Sequence, residues 1–84
     1  MTKQEKERAI IKGLRNLPSD GYGKYHFNDE LWAVIGRVMG YLGEDETAYH
    51  MNGYDLEKCD IIVQRMLDKK IIKFSATGSM FRLI

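Results

Sequence analysis

The chain has 84 residues, enough for one domain and one core, and folding at this size buries only roughly 60–65% of the unfolded surface. Hydrophobic residues at 44% and charged residues at 30% exclude a disordered tail, and no apolar run reaches the roughly 20 residues of a membrane span. The net charge is +1 but unevenly spread: five Lys or Arg against two Glu in 1–16, two against eight carboxylates in 28–60, five against one in 61–84. Basic ends suit an anionic partner, and an acidic middle suits a basic one.

The first helix is expected from Thr2 or Lys3 to Asn16, with Thr2 as its cap and Pro18 forbidding continuation. At 100° per residue, Ile10, Leu14 and Leu17 share one side, while Arg8, Lys12 and Arg15 form a stripe on the other. Such a stripe is either a solvated face or a row of cations spaced to meet neighbouring phosphates. The stretch "PSDGYGKYHF", residues 18–27, reads as a loop in which Tyr22, Tyr25 and Phe27 surround Lys24 and His26.

Asn28 is expected to cap a second helix, with Asp29 and Glu30 in its first turn favouring the positive end of the helix dipole. Leu31, Ile35, Val38 and Leu42 form its core face, and Ala33, Gly36 and Gly40 a small-residue strip for close packing of another helix. A short helix is expected over about 45–51, then a turn at Asn52-Gly53. Asp55 would cap a third helix reaching Lys69 or Lys70, with Leu56, Cys59, Val63, Met66 and Leu67 buried. Its other face is charged except for Ile61, which either tucks under the first helix or is an exposed contact residue. In "IIKFSATGSMFRLI" Ile72 and Phe74 alternate with Lys73, and Phe81 and Leu83 with Arg82. Around Gly78 this makes a hairpin with its apolar side on the core and its cations outward.

The segments "VQRMLDKKIIK" and "GSMFRLI" resemble the winged helix-turn-helix superfamily. Val63, Arg65, Leu67, Ile71 and Ile72 fall where that family has the end of its third helix and the opening of its wing. Phe81, Arg82 and Leu83 stand for the returning strand. The resemblance covers residues 28–84 and implies a mostly helical α+β domain: a three-helix core with a C-terminal β-hairpin. Residues 1–17 would be an added N-terminal amphipathic helix on this single domain of residues 1–84. It also implies that the third helix enters the DNA major groove, presenting Asp55, Glu57, Lys58, Asp60, Ile61 and Gln64. Three of those six are carboxylates, which a phosphate backbone repels.

Catalytic chemistry is thin. His26 and His50 belong to no pair or triad, and with Cys59 they are too few to hold zinc. "GYGKYHF" lacks the later glycine and preceding strand of a phosphate-cradling loop. Cys59 lies on an apolar face, as structural thiols do. No enzyme activity, metal or cofactor is expected.

The single cysteine and the absence of a signal-peptide core point to the cytoplasm. Two functions fit. One is a small nucleic-acid-binding regulator or adaptor that favours RNA or single strands over duplex DNA. Its cations are Arg8, Lys12, Arg15, Lys24, Lys69, Lys70, Lys73 and Arg82, with Tyr22 and Tyr25 to stack on unpaired bases. The other is a protein-binding inhibitor or adaptor, in the style of small phage accessory proteins. Its acidic Glu44, Asp45, Glu46, Glu57 and Asp60 would meet the basic patch of a nucleic-acid-handling enzyme, anchored by Ile61.

Overall fold

A computed structural model describes residues 2–18 and 25–84. Helix α1 spans Lys3–Arg15, and Thr2 closes a capping box: its Oγ1 accepts from the Glu5 N–H at 3.1 Å, while the Glu5 carboxylate accepts from the Thr2 N–H at 3.4 Å. Strand β1, His26–Phe27, leads directly into α2, Asn28–Met39. A 3₁₀ turn at Ala48–His50 precedes α3, Gly53–Asp68, and the chain ends in β2, Ile72–Phe74, and β3, Met80–Leu83. The three strands form one antiparallel sheet in the order β1-β3-β2. The expected α+β architecture, helices with a C-terminal hairpin, is the one observed.

The apolar faces expected from periodicity meet in one core. Leu31 and Ile35 of α2, Cys59, Val63 and Met66 of α3, and Ile72 and Phe81 of the hairpin are all buried there. Ile10 and Leu14 belong to the same cluster, so α1 is integral to the core and not an addition to it. At its closest approach to α2, a Cβ on Gly13 would lie 2.8 Å from Val34 Cγ1. This is not the Ala33/Gly36/Gly40 strip expected to receive a helix. Gly36 is covered instead by Leu42 and Met51 from the segment after α2, and Gly40 faces open space and terminates the helix at φ +82.

Three local expectations change. Asn28 does not cap α2. Phe27 occupies the cap position, and the Asn28 side-chain amide donates to the Gly78 carbonyl at 2.7 Å, tying the helix start to the hairpin turn. The short helix over 45–51 contracts to the 3₁₀ turn, held by the Thr47 N–H donating to His50 Nδ1 at 3.0 Å. The expected turn at Asn52-Gly53 is the start of α3. Asn52 Oδ1 accepts from the Asp55 N–H at 2.8 Å, which puts Asp55 in the first turn and not at the cap.

Helix α3 ends in a Schellman arrangement: the Ile71 N–H donates to the Met66 carbonyl and the Lys70 N–H to that of Leu67. Lys70 sits at the left-handed position with φ 58, where glycine is usual. A β-carbon there costs about 1 kcal/mol, so Lys70→Gly is expected to stabilise the fold by roughly 0.5–1 kcal/mol in urea denaturation. An unchanged or lower midpoint would show that Lys70 contributes compensating contacts.

Candidate nucleic-acid interface

The register pairs His26 with Phe81, Phe27 with Met80, Lys73 with Arg82, and Phe74 with Phe81. Paired residues share a face and neighbours along a strand alternate. Phe81 and Ile72 are buried and define the inner face. Lys73, Arg82, Met80 and Phe27 therefore share the outer one. The Arg82 guanidinium lies 5.9 Å from the centre of the Tyr25 ring, which places that tyrosine on the outer side as well. Phe27 is 57% exposed, an unusual exposure for a phenylalanine without a partner. Tyr25 and Phe27 are two residues apart, so their Cα atoms are about 7 Å apart along the strand. The outer face thus carries two aromatic side chains beside two cations.

The other basic residues divide. Arg8, Lys12 and Arg15 are exposed on α1, away from buried Ile10 and Leu14, and remain one stripe. Lys69 donates to the Glu7 carboxylate at 3.0 Å and clasps the end of α3 to α1. Lys70 and Lys73 are exposed, whereas Arg82 is half-buried and also donates from Nε to the Leu83 carbonyl at 3.2 Å. Tyr22 and Lys24 lie outside the described residues.

The acidic set divides too. Glu44, Asp45 and Glu57 are exposed. Glu46 serves its own loop: its carboxylate accepts from the Gly43 N–H at 2.7 Å, and its carbonyl accepts from Arg37 at 2.9 Å. Asp60 accepts from the Trp32 indole N–H at 2.8 Å, locking α3 to α2. Ile61 is 61% exposed, so it does not tuck under α1. It borders a groove whose rim is basic, with exposed Glu57 one helical turn before it on α3.

The residue missed by sequence reasoning is Phe27. It was visible in an aromatic cluster, but a segment read as loop has no faces, so nothing marked it as exposed beside Arg82. Cys59 is fully buried with Sγ 3.7 Å from Met51 Sδ. Burial, aided by the charges of Asp55 and Asp60, pushes its thiol up to about 11 from 9.0. The unfolded chain releases this proton first, so the contribution is fully present below about pH 9 and is lost as pH rises towards 11. Between those values the native protein should lose up to about 1.4 kcal/mol of stability per pH unit from this group alone. Denaturant titrations at pH 8.0 to 10.5 should show a steeper loss than in Cys59→Ala, and parallel slopes would refute the assignment.

No helix among the described residues is long and apolar enough to cross a membrane. Compared with known proteins, the chain matches no family model, no curated protein and no solved structure.

Proposed function

We propose that this protein is a non-catalytic, cytoplasmic nucleic-acid-binding regulator or adaptor that holds single-stranded RNA or DNA on the outer face of its sheet. The observation that carries the reading is the shared face of Tyr25, Phe27, Lys73 and Arg82, with Phe27 left exposed. Aromatic rings on a sheet surface can stack on unpaired bases, and cations between them meet the phosphates. The exposed Arg8/Lys12/Arg15 stripe on α1 is a second basic surface. Three helices followed by a hairpin support the winged-helix resemblance as well, but α3 is a poor duplex reader because Glu57 and Asp60 line its exposed side. The protein-adaptor reading through the acidic middle has weaker support, since Glu46 and Asp60 are engaged within the fold.

The test is fluorescence anisotropy with labelled 12-nucleotide single-stranded RNA, the same sequence as DNA, and the matching duplexes, at two salt concentrations. Single strands should bind more tightly than duplexes. With three to five phosphates neutralised, log affinity should fall against log salt with a slope of roughly −2 to −3.5. Equal or tighter duplex binding, or no binding to any probe at low salt, would end the proposal.

A further inference from the structure

Helix α1 packs on α2 and α2 on α3, but α1 and α3 barely meet. The gap between them is a groove of about 310 Å³. Its floor is Ile10, Met39 and Ile62, with Ile61 exposed on its α3 side and Tyr41 forming a wall. Its rim is Lys3 and Lys6 from α1 and Lys58 and Arg65 from α3. Lys58 is held over the Tyr41 ring, 5.5 Å from its centre. The one carboxylate in the lining, Glu7, is already paired with Lys69. An apolar trough thus lies between two pairs of cations, within a chain whose middle is otherwise acidic.

We propose that this groove docks an acidic amphipathic helix of a partner protein. Apolar side chains of such a helix, recurring at i, i+3, i+4 and i+7, fill the trough beside Ile61. Carboxylates along both flanks of that stripe meet Lys3 and Lys6 on one side and Lys58 and Arg65 on the other. A basic helix meets four like charges, and a purely acidic segment leaves the floor uncovered. The site is separate from the outer sheet face and does not depend on it.

Two displayed libraries of 16-residue peptides decide the matter, selected against the full chain. Both fix large apolar residues at helical spacing; one flanks them with Asp and Glu, the other with Lys and Arg. Binders should come from the acidic library alone, with dissociation constants of roughly 1–100 μM. Ile61→Asp should weaken a selected peptide at least about tenfold, as should Lys58→Glu combined with Arg65→Glu, while oligonucleotide binding to the Ile61→Asp variant stays unchanged. Ile61 is exposed, so circular dichroism should report an intact fold; if that variant unfolds, the charge variant carries the test. The proposal falls if neither library yields binders, if the basic library yields them equally, or if binding ignores these substitutions. It also falls if sedimentation shows self-association through Ile61 that displaces the peptide, since a second copy would then be the occupant.

Discussion

Phe27→Ala is expected to weaken single-stranded RNA binding by roughly 5- to 150-fold, the cost of about 1–3 kcal/mol per lost base stack. Its ring is 57% exposed and outside the core, so its removal should change stability by no more than about 0.5 kcal/mol. That separation makes the residue a clean probe. Reversing the neighbouring cations, Lys73→Glu with Arg82→Glu, should also weaken binding and flatten the salt slope by at least about 1.4, because two phosphate contacts are lost. Both effects are read from anisotropy titrations with a thermal melt as control. If Phe27→Ala binds like the parent while Arg8→Glu, Lys12→Glu and Arg15→Glu together abolish binding, the nucleic acid lies along α1 and the sheet face is not its seat. If all variants bind equally, the nucleic-acid reading itself is wrong.

Phe81→Ala is expected to cost about 3–5 kcal/mol, the usual range for emptying a buried phenylalanine site. Phe81 is fully buried on the central strand, paired with both His26 and Phe74, and its ring centre lies 5.7 Å from that of His26. At roughly 0.05–0.15 kcal/mol per residue, a domain of this length has a total stability of about 4–13 kcal/mol. The variant should therefore melt at least about 12 °C lower, or fail to fold at all. Arg82→Ala, one position along on the outer face, is the contrast and should leave the melt nearly unchanged. A loss under about 1.5 kcal/mol for Phe81→Ala would mean that β3 is not the centre of the core.

The elements that could be read in advance were those with a sustained apolar period. Ile10 and Leu14, Leu31 and Ile35, or Cys59, Val63 and Met66 repeat often enough along a helix that burial of one face follows from their spacing. The hairpin was legible for the same reason, through strict alternation on both sides of Gly78. Strand β1 was not. Two residues cannot display a period, and His26 and Phe27 become a strand only because β3 offers an unpaired edge. The caps were misplaced in the same way: Asn28 and Asn52 are equally good cap residues on paper, yet the Gly78 carbonyl draws Asn28 away, while Asn52, read as a turn residue, takes the role expected of Asp55.

The candidate site divides along this line. Composition and order alone determined that the ends are basic and the middle acidic, that the α1 cations form a stripe, and that Lys73 and Arg82 oppose the core. All of these follow from charge and periodicity within one element. Only the tertiary structure decided that Phe27 and Tyr25 join Arg82 on one face, that Lys69 is taken up by Glu7, that Asp60 belongs to Trp32, and that Ile61 borders a groove with a basic rim. Each of those depends on a residue brought from another element, and a one-dimensional pattern carries the faces of its own segment but not what the fold sets against them.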